Sequence, residues 1–343
     1  MTSDLVVSVI MSTHNRAQYL PDCLTHLASQ DCTVPFEVIA IDNASTDNTA
    51  AVLRAWCEKD SRFRYALEPR LGLSCGKNAG IALARAPLLL FTDDDILTNP
   101  RWIQSYLDLF ARHDDKLMLA GGPYVPIPHD LGAWPEWFDQ AAMADIALLH
   151  HGDERRLTPF EYVWGGNMAI PRALFERFGT WDETVGRKGD HRGTYEDTEF
   201  QDRVRKAGGV VWFCPAAAGR HRVPRETITP RQIASTAYTR GRNDFWKTTI
   251  PVWREVASVP KRNVFWALLS LLASLSLWAF WLMVFRLSGN KGAFERGRLA
   301  AFASGHHLES LRAGRGVTRP WTIVNHLTFR VRGLLLRMCP DVA

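Results

Sequence analysis

Over the first 120 residues, short β-branched runs alternate with longer stretches of helical periodicity, the pattern of β-α-β units around a parallel sheet. LVVSVIM, FEVIAIDN, FRYALE, PLLLFTDD and LMLAGG read as five successive strands. Between the last two, Asn99-Pro100 opens the helix RWIQSYLDLFARH, whose Trp102, Tyr106, Leu109 and Phe110 share one face. From 123 to 160 the periodicity fades. Prolines at 123, 126, 128, 135 and 159 and the cluster Trp134 to Phe138 predict a long loop with short helices. Helical patterns return in PRALFERFG and EDTEFQDRVRKAGG, followed by a strand, VVWFCP.

The chain has 343 residues, 46% hydrophobic and 22% charged, which excludes disordered and collagen-like classes and leaves room for a large core. Six cysteines without a C-x-x-C pair read as reduced thiols. The first apolar run is only about eight residues long and lacks a basic leader, so it reads as a strand and the catalytic part is expected in the cytosol.

Charge is uneven. The net value is +5, yet 286–343 holds ten Lys or Arg against three acids. The 22 residues 264–285 carry no charge at all, which favours an anionic membrane surface over nucleic acid as partner of the basic end. The expected organisation is an α/β domain over 1–250 and a membrane-associated helical region over 251–343. As a helix, 264–285 would be about 33 Å long. Three readings stay open for it: a span, an interfacial or re-entrant helix, and a buried or oligomeric helix. The segment WTIVNHLTFRVRGLLLRM reads as a second helix, lying on the membrane surface or packed on the catalytic domain.

Ligands of open parallel sheets bind beyond the carboxyl ends of the strands. Here strand one ends in Ser12-Thr13-His14-Asn15-Arg16, strand two in Asp42-Asn43-Ala44-Ser45-Thr46-Asp47 and strand four in Asp93-Asp94-Asp95. Three adjacent carboxylates repel one another, and a divalent cation with hard oxygen ligands, Mg²⁺ or Mn²⁺, relieves that repulsion. A solvated turn with Asp94 or Asp95 capping a helix is the plainer alternative, as is capping by Ser45 to Asp47. Gly72 to Asn78 fails as a Walker A loop: three residues, not four, separate its glycines, and Asn stands where Ser or Thr is needed. No G-x-G-x-x-G follows strand one.

In order, VSVIMSTHNR, VIAIDNASTDNT, GKNAGIALARAPLLLFTDDD, WGGNMAIPRALFERFGTWDE, YEDTEFQDRVRKAG and GRHRV resemble a family 2 glycosyltransferase of GT-A fold over residues 6 to 245. The resemblance implies a Rossmann-like mixed sheet and an inverting transfer of sugar from a nucleoside diphosphate, UDP- or GDP-linked. It also implies that Asp42 contacts the base, with Thr13, Asn15 and Arg16 lining the same pocket. Asp93 approaches ribose and metal, Asp95 coordinates the metal, and His221 reaches the metal or the diphosphate. Lys77 stands where the family has arginine, keeping the charge but losing the bidentate fork.

Asp197 is implied as the base, with Glu196 supporting the acceptor. An acidic helix start is the alternative for that pair, and a hydrogen-bonded buried histidine the alternative for His221. Trp134, Trp137, Trp164 and Trp181 suit stacking on sugar or core packing. Gly165-Gly166 suits close backbone approach or a tight turn. The family's processive members carry a Q-x-x-R-W motif, whereas Gln232 here is followed by Ile-Ala-Ser-Thr. The implied acceptor is therefore a glycan or lipid-linked molecule receiving one or few sugars at the cytoplasmic face of the plasma membrane. The competing classes are a non-catalytic scaffold subunit and a nucleotidyltransferase.

Overall fold

The computed structural model describes residues 5–130, 132–135, 138, 143, 148–159, 161–184, 187–188, 191–192, 196–238, 261–288, 293, 296 and 299–301; for 187–188, 191–192, 261–270 and 286 it describes the backbone alone. The chain divides into two compact units, Met1–Ile127 with Leu149–Arg222 and Pro128–Leu148 with Val223–Ala343.

The first unit is built on β1 (Val7–Thr13), α1 (Leu20–Ala28), β2 (Phe36–Asp42), α2 (Thr49–Lys59), β3 (Phe63–Leu67), α3 (Leu73–Leu83), β4 (Leu88–Thr92), β5 (Ile96–Thr98) and α4 (Trp102–Arg112). After these come β6 (Met118–Gly121), β7 (Tyr124–His129), β8 (Arg155–Arg156), β9 (Asn167–Pro171), α5 (Arg172–Phe178), β10 (Arg187–Lys188), β11 (His191–Arg192), α6 (Glu196–Lys206), β12 (Val210–Phe213) and β13 (Gly219–Pro224). All five strands read from the sequence before residue 123 are present.

The main sheet runs β3-β2-β1-β4-β9-β6-β12-β8. Strands β1 to β4 are parallel, and β1 and β2 are buried along their whole length. That burial explains their unbroken apolar character. Val7, Val9 and Met11 turn to one face, against α1, α2 and α4. Ile10, Ile39 and Ile41 turn to the other, against α3, α5 and α6. The result is a three-layer α/β/α unit.

Strand β9 is inserted antiparallel between β4 and β6, which makes the sheet mixed. The fully buried Asn167 at its start is a hydrogen-bond hub. Its amide nitrogen donates to the Pro123 and Ala217 carbonyls at 3.0 and 2.9 Å, and its oxygen accepts from Trp102 Nε1 at 2.7 Å and the Tyr106 hydroxyl at 2.8 Å. A second sheet, β5-β13-β7, stands apart from the first. The loop expected at the start of 123–160 is therefore strand β7, which tolerates Pro126 and Pro128 because it lies at a sheet edge. Cys23, Cys32, Cys57, Cys75 and Cys214 are free thiols.

In the second unit, α7 (Lys261–Ser288) packs through one stripe. Leu271, Ser274, Trp278, Leu282 and Phe285 are buried. Phe285 joins Phe138, Val223, Ile228, Ile233 and Ala293 in one cluster, and Trp278 stacks on Tyr238. Among the described residues no helix is long and apolar enough to cross a membrane. The surface helix read in WTIVNHLTFRVRGLLLRM lies outside the described residues.

Candidate active site

The carboxyl ends of β1, β2 and β4 converge, as the strand order requires. Asn15 and Ala44 sit in the left-handed region, and the two loops that contain them are stitched together. Asn15 Oδ1 accepts from the Thr46 backbone N–H at 2.7 Å, and Ser45 Oγ accepts from the Asn15 N–H at 2.9 Å. The Asn15 side chain thus shapes the loop. Asp42 is 1% exposed and accepts the Ser45 N–H at 2.9 Å, which turns the chain beyond β2. Asp47 accepts the N–H of Thr49, the first residue of α2, at 3.0 Å, while the N-cap residue Asn48 makes no side-chain cap hydrogen bond.

Each of the three consecutive aspartates has a different surrounding. Asp94 is buried, accepts the Thr13 hydroxyl at 2.5 Å and lies 4.0 Å from Arg16. Burial lifts its carboxyl well above the ordinary carboxylate range, with Asp95 adding to the shift and Arg16 and Thr13 opposing it. Arg16 also lies 3.7 Å from Asp95. Part of the repulsion that the sequence assigns to a bound cation is therefore relieved by this guanidinium, and Thr13 and Arg16 both face the acidic turn.

Asp95 is also 3.7 Å from His221 Nε2. The antiparallel β5–β13 register sets His221 opposite Ile96, which brings together residues far apart in the chain. Among the described residues, no three His, Cys, Asp or Glu stand close enough to form a ready-made metal cage.

The floor is the Gly165-Gly166 turn before β9. A Cβ on Gly166 would lie 2.1 Å from Asp93 Oδ2 and 2.5 Å from the Tyr124 hydroxyl, and one on Gly165 would lie 2.7 Å from Lys77 Nζ. With either Cβ in place these side-chain ends would have to shift, so the close approach seen here is what both glycines provide. Lys77 comes from α3, is 3% exposed and lies 3.9 Å from Glu196 at the start of α6. Asp197 Oδ2 accepts the Gly165 N–H at 2.9 Å, and its Oδ1 accepts the Thr198 N–H at 2.7 Å. The side chain of the fully buried Gln201 clamps the Val163 N–H and carbonyl, fixing α6 to the segment that leads into the floor.

A model of glycosyl transferase family 2 matches residues 8–179, half of the chain. The chain belongs to glycosyl transferase family 2. This family 2 glycosyltransferase is 31% identical over 201 residues to validoxylamine A glucosyltransferase of Streptomyces hygroscopicus subsp. jinggangensis, covering 52% of this chain and 47% of that one. It is 26% identical over 253 residues to chondroitin synthase of Escherichia coli, covering 66% of this chain and 36% of the relative. The chain thus spans less than half the length of both. Its fold resembles that of the mannosyltransferase PcManGT from Pyrobaculum calidifontis, solved with GDP-Man and Mn²⁺, at a TM-score of 0.52 and 17% identity over 98% of this chain and 86% of that one.

Within the glycosyltransferase, Asp93, Lys77, Glu196 and Asp197 gather at the floor, and Asp95, His221, Thr13 and Arg16 gather around the acidic turn. Of the tryptophans, Trp181 is core, packed edge-on against Phe91 and Phe175. Trp164 sits beside the floor, edge-on to Tyr124, and Trp134 packs on Phe138 in the second unit. Trp137 lies outside the described residues.

The sequence reading missed Tyr124 and Asn167. Asn167 was visible only as the last letter of WGGN, and Tyr124 carried no signal inside a proline-rich stretch. Burial, reinforced by Asp93, Asp95 and Asp197, holds the Tyr124 phenol far above its usual range.

Gly166→Ala is expected to retain its circular dichroism, lose about 1–3 kcal/mol of stability from overpacking and bind nucleotide sugar at least about tenfold more weakly. Gly132→Ala, with nothing within 4 Å of the added Cβ, serves as control and should match wild type. Thermal melts and nucleotide titrations of the two variants check this.

Proposed function

We propose that this glycosyltransferase moves a sugar, with inversion, from a UDP- or GDP-linked donor to a glycan or lipid-linked acceptor at the cytoplasmic face of the plasma membrane. One observation carries the reading: a carboxylate able to take a proton, Asp197, is hydrogen-bonded to the same two-glycine floor against which Asp93 and Lys77 pack. Transfer needs charge neutralised on the leaving diphosphate and a proton removed from the attacking hydroxyl, and the floor brings both kinds of group together.

Asp197 takes the hydroxyl proton as the acceptor oxygen bonds to the anomeric carbon. The bond to the diphosphate oxygen breaks on the opposite side, and its electron pair leaves with the diphosphate. Lys77 offers a fixed cation, and Glu196 orients the acceptor.

Asp93, Asp95 and His221 fit a cation shared with the diphosphate better than a closed protein cage, since Mg²⁺ is commonly held by one or two carboxylates plus substrate phosphates. When bound, Mg²⁺ or Mn²⁺ would neutralise developing charge on the leaving group. The GDP-Man and Mn²⁺ bound by the structural relative support this donor and metal class.

Asp197→Asn should leave fold and nucleotide affinity intact while lowering kcat by about 10²- to 10⁴-fold. If Asp197 only caps α6, the change costs about 1 kcal/mol of stability and spares turnover. Normal transfer rates in this variant would move the base to Glu196.

The membrane assignment rests on α7. Opposite its buried stripe, Leu272, Leu277, Phe280, Met283 and Leu287 are exposed, so the helix is apolar on both faces. Basic residues stand at both of its ends in sequence, Lys261 and Arg262 as its first two residues and Arg286, Lys291, Arg296 and Arg298 within or after its last turn. An apolar face with cationic ends fits an anionic lipid surface. Replacing both Leu277 and Phe280 by Glu should reduce co-sedimentation with phosphatidylglycerol-containing vesicles at least about tenfold and leave donor hydrolysis unchanged. Unaltered vesicle binding would contradict this role of α7.

A further inference from the structure

Arg222 follows His221 on β13 and is 3% exposed, although it belongs to neither the acidic turn nor the glycine floor. The antiparallel pairing of β13 with β5 carries its backbone to the acidic turn, where its N–H donates to the Asp95 carbonyl at 2.9 Å. Its side chain reaches the start of α1: Nη2 donates to the Tyr19 carbonyl at 2.5 Å and Nη1 to Asp22 at 2.8 Å. The guanidinium also lies over the Tyr19 ring, 5.0 Å from the centroid. That ring carries a second guanidinium, that of Arg16, at 4.8 Å.

Stability alone does not account for this arrangement. Burying a cation is costly, and the carboxylate that Arg222 meets, Asp22, is 68% exposed. Among the described residues the Arg222 Nε has no hydrogen-bond partner. Tyr19 is the N-cap of α1, and a cation at the N-terminus of a helix opposes its dipole.

The contacts do close a circuit around Arg16. The Tyr19 N–H donates to the Arg16 carbonyl at 2.9 Å, so both the backbone and the ring of Tyr19 meet that residue. The Arg16 guanidinium in turn lies 4.0 Å from Asp94 and 3.7 Å from Asp95, beyond hydrogen-bond reach. Carboxylates at such distances attract the guanidinium without fixing its orientation, whereas an aromatic ring against it restricts where it can lie. The Arg16 side chain is 31% exposed and open to a ligand; that of Arg222 is buried.

We infer that Arg222 is a positioning residue of the donor site, which moors Tyr19 to the acidic turn and thereby holds the Arg16 guanidinium beside Asp94 and Asp95 to receive the nucleotide. The inference rests on the proposed nucleotide-sugar reading and adds to it a buried cation that acts through another residue. A guanidinium oriented in advance meets its ligand without first losing side-chain freedom.

Arg222→Lys keeps the charge and loses the planar fork. In the full chain this variant is expected to bind UDP or GDP, whichever the wild type binds in isothermal titration with Mn²⁺, about tenfold more weakly. The donor KM is expected to rise in parallel, with kcat changed less than threefold. In an Arg16→Lys background the same Arg222→Lys change should weaken nucleotide binding by no more than twofold, because the guanidinium it holds is already gone. A general loosening of the fold would cost the same in both backgrounds. Asp22→Ala, at an exposed position, removes one of the two groups that grip Arg222 and should raise the donor KM about threefold; it decides the matter if Arg222→Lys does not fold. Nucleotide affinity and donor KM within twofold of wild type in Arg222→Lys would overturn the inference. So would equal losses in the two backgrounds, or an Asp22→Ala protein with a lowered Tm and an unchanged donor KM. Wild-type protein that binds neither nucleotide would overturn the donor-site reading and this inference with it.

Discussion

A Cβ on Gly166 would sit 2.1 Å from Asp93, and one on Gly165 would sit 2.7 Å from Lys77, so a bare stretch of backbone sets how closely the charged groups of this centre approach one another. Asp93 arrives from the end of β4, Lys77 from α3, Asp197 from α6 and Tyr124 from β7. No two of these are close in sequence, and they share the turn as their common contact. Side chains at 165 and 166 would push the acid, the cation and the base apart, and geometry within about half an ångström is what such a constellation requires.

Glycine pairs cost conformational entropy on folding, so the turn must be held from outside. Asn167, the next residue, does this with one side chain that bonds α4, the β6–β7 connection and the β12–β13 connection. Buried polar groups satisfied this fully rigidify a site, whereas the same groups left unpaired would be costly. The insertion of β9 between β4 and β6 follows from the same arrangement. Its register sets Asn167 beside Thr92, immediately before the acidic turn, and this brings the floor under Asp93.

The crevice was legible in the sequence because its signals are local. Apolar runs ending in Asp42 or in Asp93 to Asp95 obey the rule for parallel strands, and the strands are where the pattern puts them. The pairing of Arg16 with Asp94 and Asp95 was not legible, because charge spacing along a chain does not say which partner a long side chain reaches. Strand β9 was hidden because five residues flanked by glycines and a helix carry too little periodicity. β7 was read as loop because Pro126 and Pro128 argue against a strand until an edge position is known. For α7 the sequence reported apolarity but not which face would be covered, since an evenly apolar helix has no preferred side.

The central claim is that the floor, the acidic turn and Asp197 form one centre for inverting sugar transfer. Its most direct test is to incubate the full chain with a panel of UDP- and GDP-sugars, Mn²⁺ and candidate lipid-linked or glycan acceptors, and to identify both products. The account predicts release of free nucleoside diphosphate from at least one donor, with the transferred sugar in the anomeric configuration opposite to that of the donor. Release of pyrophosphate, or a transferred sugar of retained configuration, would contradict it.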